Sequence, residues 1–189
     1  MVKHGRPDCA VAILLAFDCY LRVGELVNLP IAELAYAKDP LNPNPAVANL
    51  RNTKRAPEES ATIRKRFVGL LLAKHIRRLQ VLDEKECRLF PFGKNTLTNQ
   101  MKASSQRLGL PSIYTMHSLR AGGATRDKIM GESTESIRLR GRWAAYSSMQ
   151  RYVKEFYYVQ GESKMTDAQV KKAMKIRADP YKYFNVPAP

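Results

Sequence analysis

Long apolar runs are missing from this 189-residue chain. No stretch approaches the roughly 18 consecutive apolar residues of a membrane-crossing helix. The longest apolar-rich segment, Cys9 to Phe17, is short and lacks a signal-peptide lead-in. Cysteine is scarce: Cys9, Cys19 and Cys87 are odd in number and have no metal or redox spacing. They read as reduced thiols of an intracellular protein, in the nucleus if eukaryotic, in the cytoplasm or nucleoid if bacterial or phage. Histidine is equally sparse, with His4, His75 and His117 scattered and no HExxH motif or paired Cys/His cluster, so neither a metal nor another cofactor is expected. Acidic residues are few. Seventeen Asp and Glu face 32 Lys and Arg, a net charge of +15 and a pI near 9.9. That imbalance makes a polyanion, most simply nucleic acid, the expected partner. A membrane surface fits less well, because no basic amphipathic segment carries an aromatic face.

What is present suffices for a folded domain, since 44% of the residues are hydrophobic. Spacing near 3.6 residues predicts a helix over 10–28, with Ile13, Leu14, Phe17, Leu21 and Leu26 on one side and Pro30 ending it. Residues 31–37 read as a short extended or helical piece, and 39–46, with three prolines, as a loop. Two strands of a hairpin are expected at 47–53 and 60–64. Helices follow at 66–82, 96–107, 117–130, 133–139, 145–158 and 166–177. Gly122 and Gly123 inside a helix imply close packing or close approach to a ligand. The fold class expected is mostly α with a small antiparallel β-sheet, that is, α+β.

Basic residues cluster. Nine Lys and Arg against two acids occupy 51–80, and Arg138, Arg140 and Arg142 precede Trp143. A solvated face that aids solubility is one reading. A phosphate-contacting surface with Arg51, Arg55, Lys65 and Arg142 is the favoured one, because the clusters flank a distinctive set of residues.

That set is Arg22, His117, Arg120, Trp143 and Tyr152. His117 and Arg120 are three apart, on one helical face; Trp143 follows 23 residues after Arg120, and Tyr152 nine residues later. Breaking a phosphodiester needs a nucleophile, donors for the non-bridging oxygens, a base and an acid. Arginine is the best metal-free oxygen clamp, and a tyrosine hydroxyl can form a covalent ester and later leave. Each residue also has a plain structural alternative: Arg22 paired with Glu25 one turn on, a core histidine, a packed tryptophan, or Tyr146, Tyr157 or Tyr158 in place of Tyr152.

The arrangement resembles the catalytic domain of the tyrosine recombinases, or phage-type integrases, many of them from mobile elements. The family pattern is an arginine in a helical Leu-Arg-x-x-Glu/Asp segment, a hairpin lysine, His-x-x-Arg, a His or Trp, and the nucleophilic tyrosine. Here Leu21-Arg22-Val23-Gly24-Glu25 matches the first, with Glu25 in support. His117 and Arg120 match His-x-x-Arg, Trp143 the His/Trp position, and Tyr152 the nucleophile. Lys54 matches the hairpin lysine, with Arg51, Arg55 and Lys65 as competitors close by. Arg142 departs from the pattern, since a smaller residue is common before the His/Trp position, and is expected to matter little. The match runs from about residue 10 to 158, beginning almost at the first catalytic-domain helix. Activity is therefore expected to depend on a separate N-terminal DNA-binding domain of the kind the family carries.

The resemblance implies DNA recombination or integration by transesterification. Tyr152 attacks the phosphate to give a 3′-phosphotyrosyl link, Arg22 and Arg120 hold its oxygens, Lys54 protonates the leaving 5′ oxygen, His117 assists, and Trp143 offers its indole N–H or packs the site. Double-stranded DNA is the implied partner, with a homo-oligomer, a tetramer, assembled on it and no membrane involved. The implied organisation is a catalytic domain over 1–159 and a C-terminal helix and tail over 160–189 that docks on a neighbouring protomer or frays. Two other functions stand beside this one: a catalytically silent DNA-binding module derived from a recombinase, and a type IB topoisomerase-like enzyme, which Trp143 disfavours because those enzymes typically use histidine there.

Overall fold

The computed structural model describes residues 6–36, 46–51, 53, 56–79, 87–110 and 114–185. Helix α1 (Pro7–Asp18) starts at a proline whose missing N–H costs nothing there, with Asp8 in its first turn. It runs through the middle of the molecule, packing on later helices with Cys9, Val11, Ala12, Leu15 and Ala16 buried. Its partners are α2 (Val23–Val27), α3 (Arg66–Leu79) and α5 (Met116–Ile129).

The single helix expected over 10–28 is broken. Leu21 N–H bonds back to Ala16 O at 3.0 Å while Tyr20 takes a left-handed φ of +50°. This is the Schellman ending usually reserved for glycine. The chain is held in it from outside, because the Tyr20 hydroxyl donates to Asp127 and the Tyr20 carbonyl accepts from Arg120. Arg22 is then extended and caps α2, its N–H donating to the Glu25 carboxylate at 2.8 Å.

The expected hairpin forms with shifted ends. Strand β1 (Leu34–Tyr36) pairs with β2 (Ala46–Arg51), and β2 with β3 (Glu58–Ile63), in a three-stranded antiparallel sheet of order β1-β2-β3. Of the segment expected to be extended or helical over 31–37, the described part, 31–36, is both, a 3-10 turn over Ile31–Glu33 followed by β1. Ala46, Ala48, Leu50, Ala61 and Ile63 alternate onto the buried face. Helix α3 covers the far side of α1, where buried His75 donates to Leu89 O at 2.8 Å and stacks on Phe90.

Helix α4 (Lys94–Arg107) follows, then α5 and α6 (Thr134–Arg140), the last capped by Ser133. The helix expected over 145–158 is two, α7 (Tyr146–Gln150) and α8 (Glu155–Ser163), with Tyr152 in the break. Thr125 of α5 makes that break. Its hydroxyl donates to Tyr152 O at 3.3 Å and accepts from Lys154 N–H at 3.0 Å, capturing backbone groups a continuous helix would use itself. Helices α9 (Asp167–Ala178) and α10 (Pro180–Phe184) end the described chain. Tyr181 and Phe184 pack on Phe67 of α3 in the same chain. A pocket of about 240 Å³ lies there, lined by Pro7 and Val11 of α1, His75 of α3 and Asn185 after α10. Among the described residues no helix is long and apolar enough to cross a membrane.

Candidate active site

Helix α5 carries the centre of the site. Glycine at 123 lets it press against α1, since a Cβ there would stand 2.2 Å from Phe17 O. This places Arg120, only 1% exposed, directly behind the Tyr20–Arg22 corner. Its two terminal nitrogens donate to the carbonyls of Tyr20 and Gly141. Among the described residues its Nε has no acceptor. The guanidinium lies 4.5 Å from the Trp143 ring centroid and 5.5 Å from that of Tyr152. Burial, then the charges of Arg22 and Arg142, push its pKa down to about 10.

Trp143 follows α6 and a tight turn through Gly141, where any Cβ would fall inside the indole ring. The indole is 4% exposed, and its buried Nε1–H has no acceptor among the described residues. The Tyr152 ring stands 5.1 Å from the Trp143 ring and 4.8 Å from that of His117, which is exposed near the start of α5. Among the described residues the Tyr152 hydroxyl has no hydrogen-bond partner. Beside it opens a pocket of about 310 Å³, lined by Arg22, Arg142, Trp143, Ala144, Ser148, Arg151 and Tyr152.

One carboxylate organises the cationic side. Glu25 accepts from Arg22 Nη1 at 2.5 Å and from Arg142 Nη2 at 2.8 Å. Burial alone would raise the Glu25 pKa; the Arg142 charge and the hydrogen bonds from Arg22 outweigh burial and hold it below the usual range.

Arg22, Glu25, His117, Arg120, Arg142, Trp143 and Tyr152, scattered in sequence, are thus gathered in one place. Lys54 and Arg55 lie outside the described residues. Arg51 pairs with Glu33 at 2.6 Å at the end of β2, and the Lys65 ammonium is 3.3 Å from buried Asp18. The arginine run before Trp143 is turned inward. Arg138 donates to the carbonyls of Trp143 and Ala144, Arg140 reaches Asp18 and Asp127, and Arg142 is 6% exposed. These arginines brace the turn that presents Trp143. Sequence reasoning missed Ser148 and Arg151 on the pocket wall. Arg151, exposed and next to the tyrosine, carries only its charge as a signal.

Among the described residues no group of three His, Cys, Asp or Glu could hold a metal ion. The guanidiniums of Arg22, Arg120 and Arg142 stand against the carboxylate of Glu25 and, 3.7 Å from Arg142, that of Glu59. Among the described residues three buried N–H groups here, Arg120 Nε, Arg142 Nε and Trp143 Nε1, have no acceptor. An oxyanion in the pocket would meet this excess charge. Below about pH 10, charged Arg120 is disfavoured in the folded state relative to the unfolded chain, and a bound anion offsets that cost. At a hundred times its dissociation constant, millimolar tungstate is expected to add about 2.7 kcal/mol, or roughly 5–10 °C in melting temperature. Chloride at equal ionic strength should not do this. A tungstate shift that persists in Arg22→Ala would place the anion elsewhere.

Compared by sequence, the chain matches no protein-family model and no curated protein. Compared by structure, it is similar to XerA recombinase, with a TM-score of 0.60 and 17% identity over 90% of this chain and 61% of that one. It is also similar to XerH site-specific recombinase bound to difH substrate in a pre-cleavage complex, with a TM-score of 0.66 and 15% identity over 90% of this chain and 47% of that one. A third likeness is to the Tn1549 transposon integrase in complex with circular intermediate DNA, with a TM-score of 0.54 and 16% identity over 84% of this chain and 58% of that one. The chain therefore spans between 47% and 61% of the length of these proteins. The fold, mostly helical with a small antiparallel sheet, is that of the tyrosine-recombinase catalytic domain.

Proposed function

We propose that the chain is the catalytic domain of a DNA strand-transfer enzyme, acting in recombination or integration through a 3′-phosphotyrosyl intermediate. The observation that carries this reading is the Tyr152 hydroxyl, without a hydrogen-bond partner among the described residues, on a pocket wall shared with Arg22, Arg142 and Trp143, whose buried Nε1–H also lacks an acceptor among them. Buried donors are rarely left unpaired, and a site that leaves them so is shaped for an acceptor that arrives with the ligand. A phosphodiester brings two non-bridging oxygens.

In the proposed reaction the Tyr152 hydroxyl gives up its proton to water as its oxygen attacks phosphorus, the phosphotyrosyl ester forms, and the bond to the 5′ oxygen breaks. That oxygen leaves with a proton, for which Lys54 is the proposed donor. Arg22 and Arg120 neutralise the non-bridging oxygens. Arg120 spends two of its five N–H groups on carbonyls and keeps three. His117, against the Tyr152 ring, assists proton movement; Trp143, which cannot titrate, donates a hydrogen bond. A 5′-hydroxyl from another strand reverses the chemistry, so no external energy source is needed. Double-stranded DNA is the proposed partner, with protomers assembling on it as a tetramer.

The test is incubation with a duplex nicked near the cleavage point, so that the released fragment diffuses away. A detergent-stable protein–DNA species is expected. Salt-sensitive DNA binding without that species, also when an N-terminal DNA-binding domain is supplied, would reduce the function to DNA binding.

A further inference from the structure

Arg142 is the one buried charged residue on the pocket wall that the proposed transesterification leaves unused. Its backbone is left-handed, with φ at +55°, a conformation a non-glycine residue holds only when its surroundings insist on it. Its side chain, 5% exposed, crosses from the turn before Trp143 to the corner before α2. There it donates to Cys19 O at 3.3 Å, Tyr20 O at 3.4 Å and Glu25 Oε2 at 2.8 Å, and its Nε lies 3.7 Å from Glu59. The Tyr20 carbonyl it reaches also accepts from Arg120, and the carboxylate it reaches also holds Arg22.

Left alone with Arg22, a buried carboxylate takes the guanidinium in two parallel hydrogen bonds, which occupies the fork and cancels the charge. In this structure Oε2 takes both Arg142 Nη2 and the Arg22 backbone N–H. The backbone bond alone would leave Oε2 a second lone pair, and with Arg142 in place the Arg22 side chain is held through Oε1 alone. We propose that Arg142 is a positioning residue. By competing for Glu25 it keeps Arg22 half-paired and turned to the anion, and by tying the Tyr20–Arg22 corner to the Trp143 turn it sets the two sides of the phosphate clamp before DNA arrives. This rests on the reading of the pocket as a phosphate site.

Trp143 is the chain's single tryptophan, so its emission reports tungstate entering the pocket. The experiment titrates tungstate against the wild type, Arg142→Gln, Arg142→Lys, Glu25→Gln and the Arg142→Gln/Glu25→Gln double variant. Melting temperatures and cleavage rates at saturating nicked duplex are measured on the same proteins. Arg142→Gln is expected to weaken tungstate about tenfold, the scale on which partners of an ion's own ligands act. It should slow cleavage to a similar degree, with the half-saturating DNA concentration unmoved. Arg142→Lys should recover part of the loss. The losses of Arg142→Gln and Glu25→Gln should be less than additive in the double variant, because part of each runs through their shared contact.

Unchanged tungstate affinity at a lower melting temperature would make Arg142 a structural brace and overturn the proposal. A higher half-saturating DNA concentration at an unchanged rate would make it a direct DNA contact, with the same consequence. Should Arg142→Gln not fold, Arg142→Lys decides, and wild-type tungstate affinity in that variant overturns the proposal. Failure of the wild type to bind tungstate also overturns it. If the expected tungstate pattern appears but no covalent DNA species ever forms, the strand-transfer reading fails and the positioning role stands.

Discussion

Tyr152→Phe is expected to abolish the detergent-stable DNA species while leaving stability within about 0.5 kcal/mol of the wild type and DNA binding intact. The substitution removes one atom, and in the folded protein that atom has no hydrogen bond to lose among the described residues. The ring contacts with His117 and Trp143 remain. Removing a group used only in bond formation lowers the rate without touching ground-state binding. The other tyrosines are poorly placed to substitute. Tyr20 is fully buried and donates to Asp127, and burial and that bond raise its pKa. Burial, then the nearby charge of Glu162, raises that of Tyr158. Tyr146 and Tyr157 are exposed and absent from the pocket wall. Gel analysis after denaturation checks the outcome, and a persisting covalent band would remove Tyr152 from the role.

Gly123→Ala and Gly122→Ala are expected to differ in sign. At 123 the new methyl would meet Phe17 O at 2.2 Å and the Tyr20 ring at 2.8 Å. The first is backbone and cannot turn aside, so α5 must retreat from α1. A loss of about 3 kcal/mol or more follows, or roughly 6–12 °C in melting temperature. Activity should fall further than stability, because the displaced corner carries Arg22 and the Tyr20 carbonyl on which Arg120 rests. At 122 the nearest atom is a Phe17 ring carbon at 3.1 Å, which a small ring rotation relieves. Alanine there regains up to about 1 kcal/mol of helix propensity, leaving the variant near or above wild-type stability. Thermal melts of both variants decide it; equal losses would mean that the α1–α5 contact is not set by Gly123.

The order and spacing of Arg22, His117, Arg120, Trp143 and Tyr152 were legible in the sequence, because one chemistry demands those residue types and short helical offsets keep two of them together. The hairpin and most helices were legible from periodicity. The break at Tyr20 was not. Glycine is the usual mark of a left-handed helix end, and here distant partners, Asp127 and Arg120, impose it on a tyrosine. The break at Tyr152 was hidden for the same reason, since Thr125 makes it from 27 residues away. Helix α10 had a start signal, Asp179 before Pro180, that the reading of everything after 177 as tail passed over. The arginines before Trp143 read as surface because charge in a sequence carries no direction. Only folding shows that Arg140 and Arg142 point inward to Asp18, Asp127 and Glu25.

The pocket shared by Pro7 and Asn185 brings the two ends of the described chain side by side. The described backbone returns to where it set out, on a pocket that shares no lining residue with the candidate site. Order along the described chain and order in space are therefore separable in this fold, since stretches as distant as 7–11 and 183–185 share one pocket wall.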